Sequence, residues 1–234
     1  MTEVNAAADA APEMLRISID AKATVKVGPF ARGGKSRIPT AAADHDFHPD
    51  ATLTPVGILV PDVDELFLYG IPSKVTSDCV VDCLVRWWET VRERFGQITT
   101  LVINLDNGPE NHSRRTQFMQ RIVMFVQQYG ISVRLAYYPP YHSKYNPIER
   151  CWGILENHWN GSLLDSIDAV IQFATSMTWH GQHPVVDLIT TTYQTGVKLT
   201  KDAMDLVEAQ ITRLPDLGKW FVDIVPTSSS RRTS

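Results

Sequence analysis

The sequence predicts a mixed α/β fold, in which a sheet of antiparallel and parallel strands carries helices on its faces. Two observations lead to this class. The first third of the chain alternates apolar and polar residues in short runs, which is typical of an antiparallel meander. From residue 76 onward, segments with helical periodicity alternate with short apolar runs. Strand–helix–strand connections of this length place the two strands in parallel.

The antiparallel part is predicted to begin near residue 14. Residues 14–28 read as a strand, a short connection and a second extended segment, because Leu15, Ile17 and Ile19 share one face. Residues 29–40 form a loop that is rich in glycine, proline and basic side chains. Two short apolar runs, "TPVGILV" and "ELFLYG", flank a turn composition, "PDVD". These segments together predict a meander.

The rest of the chain alternates predicted helices and strands. The helices repeat apolar residues at intervals of three and four positions, and Gly96 and Gly130 supply C-terminal stops. The predicted helices are 76–96, 115–130, a third from Asn146-Pro147 to about Trp159, and two more over 164–178 and 201–213. The strands between them are 98–105 and 131–138.

Length and composition predict one globular domain with short disordered ends. The chain has 234 residues, of which 44% are hydrophobic and 21% charged. We expect a folded domain over 14–225 and disorder over 1–13 and 226–234, where small and polar residues dominate. No apolar run approaches the length of a membrane span, and no secretory signal is recognisable. Three cysteines without framework spacing fit a reducing cytoplasm.

Three acidic residues stand at predicted strand ends or helix starts. Asp20 follows the first strand, Asp106 closes the strand "LVINL", and Glu149 lies in the first turn of the helix that begins at Asn146-Pro147. Ligands of open α/β sheets bind beyond the carboxyl ends of strands. These carboxylates are therefore candidates for a shared site.

Each acid also has a purely structural interpretation. Asp20 and Asp106 are residue types that favour turns, and Asp106 is followed by Asn-Gly-Pro. Glu149 fits a capping box with Asn146 as N-cap and Pro147 at the first helical position. If the three converge, however, they repel one another unless cations neutralise them. Carboxylate oxygens suit Mg²⁺, and a pair of such ions promotes phosphodiester cleavage.

Specific motifs around these acids resemble a known family. Asp20 in "ISIDAK", Asp106 in "INLDNGPEN" and Glu149 in "YHSKYNPIERCWG" resemble the DDE triad of bacterial insertion-sequence transposases. The segments "PPYHSKYNPIE" and "YQTGVKLT" are similar to the ISAzo group in particular, and the resemblance extends over about 14–225. It implies a ribonuclease-H-like fold shared with retroviral integrases, with a mixed five-stranded sheet and a C-terminal helical extension. It also implies metal-dependent DNA cleavage and strand transfer.

The resemblance assigns roles to individual residues. Asp20, Asp106 and Glu149 would be the catalytic residues and the ligands of two Mg²⁺ ions, with Mn²⁺ able to substitute and Asp20 best placed to bridge. The residues expected to contact DNA are Asn107, His142, Lys144, Asn146, Arg32, Lys35 and Arg37. Simpler interpretations stay open for these, namely loop residues, solvated charges and, for Asn146, helix capping. Trp152 and Trp159 either stack on bases or, as their spacing favours, pack in the core.

The sequence also departs from the family. Full-length transposases of this kind carry N-terminal helix-turn-helix modules, which leads us to expect an N-terminally truncated catalytic domain. The formal charge of −4 fits the absence of a main DNA-binding part. The expected partners are DNA, as transposon ends and target, and a second copy in a homodimer. The expected location is the bacterial cytoplasm, near the nucleoid. A nuclease that does not join strands and an inactive remnant are the alternatives.

Overall fold

The computed structural model describes residues 1–36, 39, 41–43, 45, 48–139 and 145–227. The chain divides into two compact units, and each is described by itself. Unit 1 comprises Met1–Ile17, Ser77–Tyr141 and Gly196–Ser234, and unit 2 comprises Ser18–Thr76 and His142–Thr195. None of the helices in the described part of the chain is both long and apolar enough to cross a membrane.

Fifteen helices and strands follow one another in the part of the chain that the structure describes. In order they are α1 (Thr2–Ala10), β1 (Met14–Ala21), β2 (Val25–Val27), β3 (Ala51–Val60), β4 (Glu65–Ile71), α2 (Ser77–Val91), β5 (Thr100–Leu105), α3 (Thr116–Tyr129), β6 (Ser132–Tyr137), α4 (Glu149–Trp159), α5 (Ile167–Ser176), β7 (Val185–Leu188), α6 (Lys201–Glu208), β8 (Ile211–Arg213) and β9 (Phe221–Ile224). Strand β1 begins in unit 1 and ends in unit 2.

Unit 2 contains the predicted antiparallel meander. Its strand order is β7-β4-β3-β1. Strand β3 is antiparallel to both β1 and β4, and the short strand β2 also pairs with β3. Strand β7 adds to the free side of β4 in parallel. In the register between β1 and β3, Asp20 lies opposite Gly57.

The core of unit 2 lies between these strands and helices α4 and α5. The predicted apolar stripe of α4 is buried: Trp152, Leu155 and Trp159 pack with Leu53 of β3 and Leu68 of β4. Burying an aliphatic or aromatic side chain of this size contributes about 1.5–3 kcal/mol. The expectation that the two tryptophans belong to the core is therefore confirmed.

Unit 1 contains the parallel part of the sheet. Its strand order is β1-β5-β6-β9-β8, with β5 and β6 parallel and β9 antiparallel to both β6 and β8. Helices α2 and α3 pack together, and Arg121 of α3 forms ion pairs with Asp78 and Asp82 of α2. Helix α3 ends where predicted, because Gly130 adopts a left-handed conformation with φ of 64°. The predicted mixed α/β class is confirmed.

The N-terminal segment differs from the expected disorder over 1–13. Residues Thr2–Ala10 form α1, whose alanine-rich composition favours a helix. The side chain of Asn5 accepts a hydrogen bond of 3.0 Å from Asn104, a fully buried residue of β5, and donates to Tyr138. Ala8 packs against Val102 in the same unit. A buried polar partner therefore anchors a segment that composition alone describes as unstructured.

The number of strands and one helix boundary also differ from the prediction. In place of a five-stranded sheet, the described residues form nine strands. Strand β2 is the second extended segment predicted within residues 14–28, and β7, β8 and β9 are additional. These three have only three or four residues each, too few for a periodic pattern. The helix predicted over 201–213 ends at Glu208, because the β-branched Ile211 and Thr212 continue as strand β8. Of the predicted disordered tail over 226–234, residues 228–234 lie outside the described part of the chain.

Candidate active site

Asp20 was predicted to close the first strand, and it occupies the next-to-last position of β1. Its Oδ2 atom accepts a hydrogen bond of 2.7 Å from the indole nitrogen Nε1 of Trp152. Trp152 belongs to α4 and is only 6% exposed. The hydrogen bond therefore joins the end of β1 to the first turns of α4 within unit 2.

A glycine opposite Asp20 makes room for this indole. A Cβ atom on Gly57 would lie 2.7 Å from Cη2 of Trp152 and 2.7 Å from Cδ1 of Ile148. Both distances are far below van der Waals contact, so a larger residue would push the two side chains away. The glycine inside β3 thus marks a close approach of helix to strand.

The segment before α4 is attached to β1 by buried hydrogen bonds. Asn146 accepts a bond of 2.5 Å at Oδ1 from the hydroxyl of Ser18, and its Nδ2 atom donates to the carbonyl of Ile19 at 3.4 Å. The backbone N–H of Ile148 donates to the Ser18 hydroxyl at 3.3 Å. The predicted capping box is wrong, because α4 begins at Glu149 and Asn146 uses its side chain to bind β1 instead of capping.

Glu149 is the first residue of α4 and is half-buried. The N-terminus of a helix favours negative charge, because unpaired backbone N–H groups point outward there. Glu149 and Trp152 are three positions apart and so lie on neighbouring parts of one helix face. One turn of α4 thus carries both a candidate ligand and the residue that binds Asp20.

Asp106 lies in unit 1, directly after β5. Its Oδ1 atom accepts hydrogen bonds from the backbone N–H of Gly108 at 3.2 Å and from Nδ2 of Asn111 at 3.1 Å. Asp106 therefore does form a turn through its own side chain, as its sequence context indicates. The same bonds also fix the direction of the carboxylate, so the structural and functional interpretations are compatible.

Asn111 has an unsatisfied oxygen beside this carboxylate. The residue is 8% exposed, and its Oδ1 atom is buried without a hydrogen-bond partner among the residues that the structure describes. A Cβ atom on Gly108 would lie 3.0 Å from this oxygen and 3.1 Å from Oδ1 of Asp106. Leaving a buried acceptor unsatisfied costs about 1–3 kcal/mol, and a water or a cation satisfies such an atom.

The donor chemistry of the candidate residues fits a hard divalent cation. Carboxylate and amide oxygens are the ligands that Mg²⁺ and Mn²⁺ take in proteins. Asp20 and Glu149 belong to unit 2 and Asp106 to unit 1. Across the described ranges, no three histidine, cysteine, aspartate or glutamate side chains form a group that could hold a metal ion.

Cys79 and Cys83 are buried in α2, and burial raises the pKa of the Cys83 thiol well above its ordinary value.

The residues predicted to contact DNA have different environments. Asn107 and Lys35 are exposed, and Arg32 is half-buried with its guanidinium donating to the carbonyl of Lys26. The loop that carries these two basic residues lies against the end of α4, where the N–H of Gly161 donates to the carbonyl of Gly33 at 2.9 Å. Asn146 is buried, and its side chain makes the hydrogen bonds to Ser18 and Ile19 that are described above. Arg37, His142 and Lys144 lie outside the described residues.

Four contributors to these arrangements were not found from the sequence. They are Ser18, Gly57, Asn111 and the hydrogen-bonding role of Trp152. Two signals pointed toward them: a glycine inside an otherwise apolar strand, and a tryptophan one helical turn after a candidate glutamate. Neither signal identifies its partner, because register and side-chain direction come only from the folded chain.

Comparisons with known proteins place the chain among transposases. The family described as Rhodopirellula transposase DDE domain matches residues 2–226. Two solved structures are similar: the Mos1 transposase paired-end complex with left transposon end, and the crystal structure of the Mos1 mariner paired end complex with Mn. Each of the two is 11% identical in sequence to this chain and matches it with a TM-score of 0.49. The match covers 68% of this chain and 46% of the chain in each solved structure.

The chain thus spans less than half the length of these two structures. A comparison with curated proteins gave no match. The family match, in contrast, extends over nearly the entire sequence and includes Asp20, Asp106 and Glu149. The chain therefore belongs to the Rhodopirellula transposase DDE domain family.

Proposed function

We propose that this chain is the catalytic domain of a DDE transposase, which cleaves DNA phosphodiester bonds and transfers the cleaved strand to a target. The observation that carries the proposal is the family match over residues 2–226. The environments of the three acids support it. Each stands at the end of a strand or the start of a helix, and the carboxylates of Asp20 and Asp106 are oriented by hydrogen bonds.

We assign Asp20, Asp106 and Glu149 as the ligands of two divalent cations, Mg²⁺ with Mn²⁺ as a substitute. Their oxygens suit such ions, and the unsatisfied oxygen of Asn111 beside Asp106 supports a cation or an ordered water there. When bound, the ions would supply Lewis-acid stabilisation of the attacking and leaving oxygens of a phosphodiester.

The three carboxylates act by placing negative charge in the site. DNA is a polyanion, so three carboxylates repel it until cations neutralise them. In the proposed reaction, water first attacks the phosphorus at the transposon end, and the bond to the leaving oxygen breaks to release a 3′-hydroxyl. This hydroxyl then attacks a phosphodiester of the target, which joins the two DNAs without a covalent protein intermediate.

The basic and amide side chains expected from the sequence to contact DNA are proposed to hold the DNA backbone. Lys35 and Asn107 are exposed and Arg32 is half-buried, and all three have the chemistry for phosphate contacts. The same role is proposed for Arg37, His142 and Lys144. For Asn146, a direct contact would require its side chain to leave Ser18 and Ile19, so its proposed role is to support the start of α4.

The chemistry also suggests how the protein assembles and where it acts. Transposition joins two DNA ends, and two copies of the chain in a homodimer would place one proposed site at each end. Because the proposed substrate is DNA in a bacterium, we place the activity in the cytoplasm near the nucleoid.

Strand joining tests this function directly. A fluorescently labelled duplex with a free 3′-hydroxyl is incubated with the purified chain, Mn²⁺ and an unlabelled supercoiled plasmid. The proposal predicts relaxed plasmid that carries the label in a covalent bond. Relaxed plasmid without label would contradict strand transfer and indicate a nuclease that only hydrolyses DNA.

A further inference from the structure

The indole of Trp152 contacts Asp20 in a way that the proposed roles do not use. Its Nε1–H group, which can only donate, gives a hydrogen bond of 2.7 Å to Oδ2 of the carboxylate. The rest of the ring is packed in the core of unit 2 with Leu155 and other apolar side chains. The donor therefore has a fixed position, and the carboxylate must turn toward it to form the bond.

Strand β3 packs against the six-membered part of the ring, on the side that carries Nε1. Cη2 and Cζ2 of Trp152 lie so close to Gly57 that a Cβ atom there would be 2.7 and 3.0 Å away. Gly57 is the register partner of Asp20 across β1 and β3. The ring is thus in close contact with both residues of this register pair, Asp20 and Gly57.

The helix that carries Trp152 is also fixed at its start. Ser18, two positions before Asp20, binds both Asn146 and the backbone of Ile148. Trp152 follows Ile148 by one helical turn. The buried bonds of Ser18 and the bond of Asp20 therefore attach the same end of α4 to β1 at two points, and Glu149 lies between them.

A second tryptophan on α4 provides a comparison. Nε1 of Trp159 donates to Oε2 of Glu156 over the same distance of 2.7 Å. Trp159 is 1% exposed, and Glu156 also forms an ion pair with Lys22. In both indole–carboxylate bonds the tryptophan belongs to α4, the bond is 2.7 Å long and the ring is buried. They differ in that only Trp152 binds one of the acids of the proposed triad.

We infer that Trp152 is a positioning residue, whose indole N–H sets the orientation in which Asp20 takes a divalent cation. The inference rests on the proposed function of Asp20. Hydrogen bonds to a ligating carboxylate fix its direction before the ion arrives, and losing such a partner reduces metal affinity about 10- to 100-fold. Trp152 itself contacts neither DNA nor cation in this assignment.

The test substitutes each of the two indoles by a ring without a donor. Trp152→Phe and Trp159→Phe both keep an apolar aromatic side chain in α4. Binding of Mn²⁺ to the full chain without DNA is measured by electron paramagnetic resonance, and plasmid nicking is measured against Mn²⁺ concentration. We expect Trp152→Phe to require at least about 10-fold more Mn²⁺ in both assays. Its nicking at saturating Mn²⁺ should approach that of the wild-type chain, and Trp159→Phe should keep the wild-type dependence.

Two results with these variants would overturn the inference. One is a Trp152→Phe chain with the wild-type requirement for Mn²⁺. The other is an equal shift in Trp159→Phe, which would indicate a general loosening of α4. Nuclear magnetic resonance of the wild-type chain gives an answer that needs no substitution: saturating Mg²⁺ should shift the indole N–H signal of Trp152 and leave that of Trp159 in place. An unmoved Trp152 signal would equally overturn the inference.

If the proposed function is wrong, the results differ from those that overturn the role of Trp152 alone. A wild-type chain that neither binds Mn²⁺ nor nicks DNA would contradict the assignment of Asp20 as a ligand, and the role of Trp152 with it. A wild-type chain that does both, with Trp152→Phe equal to it, would contradict the positioning role alone.

Discussion

Asn111 donates a hydrogen bond of 3.1 Å to the Oδ1 atom of Asp106, five positions earlier in the same loop. The hydroxyl of Tyr137 donates to the backbone carbonyl of Asn111 at 2.8 Å. Tyr137 is fully buried at the end of β6, next to β5. The loop after β5 is therefore attached to the neighbouring strand, and Asn111 in turn orients the carboxylate.

This relationship predicts that Asn111→Ala weakens catalysis more than stability. The variant loses the amide that orients Asp106, and we expect nicking in Mn²⁺ to fall by about 10- to 100-fold. Tyr137→Phe is the matched control, because it removes the bond to the backbone of Asn111 and leaves the amide in place. We expect the control to lose about 1 kcal/mol of unfolding free energy and to keep most of its activity. Equal losses of activity in the two variants would contradict this role.

Removal of the Ser18 hydroxyl is predicted to destabilise the fold. Ser18→Ala leaves Oδ1 of Asn146 and the N–H of Ile148 without their buried partner, so we expect a loss of about 1–3 kcal/mol in urea unfolding. Thr24→Ala is the control, because it removes an exposed hydroxyl that bonds Thr54 at 2.7 Å. The control should change stability by less than about 0.5 kcal/mol. Similar values for the two variants would show that the Ser18 bonds do not stabilise the fold.

Two glycines of unit 2 are predicted to respond to alanine with opposite sign. Gly57→Ala forces a methyl group against Ile148 and Trp152, and overpacking of this kind costs about 1–3 kcal/mol. Gly153, inside α4, is exposed, and an added Cβ would meet nothing within 4 Å. Gly153→Ala should therefore stabilise the chain by about 0.5–1 kcal/mol through helix propensity. Thermal unfolding of both variants checks the signs, and a stabilised Gly57→Ala would contradict the close packing.

The sequence was most informative where local periodicity determines structure. The stripe of Trp152, Leu155 and Trp159 identified the buried face of α4, and Gly130 identified the end of α3. Asp20 and Asp106 could be predicted because a carboxylate at the end of an apolar run is recognisable without knowing any contact. Each of these features depends on residues that are close together in the chain.

Features that depend on pairing between distant segments could not be predicted in this way. The start of α4 was misplaced because Asn146 has the composition of a cap, whereas its actual partners are on β1. Helix α1 was missed because its anchor, Asn104, lies in β5. The role of Gly57 depends on a register with β1 and on a ring from α4, and neither is encoded near residue 57.

The most direct test of the central claim is plasmid nicking by the purified chain in Mn²⁺, compared with Asp106→Asn. This substitution keeps the size of the side chain and removes its charge, so we expect nicking to disappear while affinity for DNA stays nearly unchanged. Asp202→Asn, at an exposed position in α6, is the control for loss of a negative charge and should nick like the wild-type chain. Nicking that persists in Asp106→Asn would contradict the assignment of Asp106, and with it the proposed site.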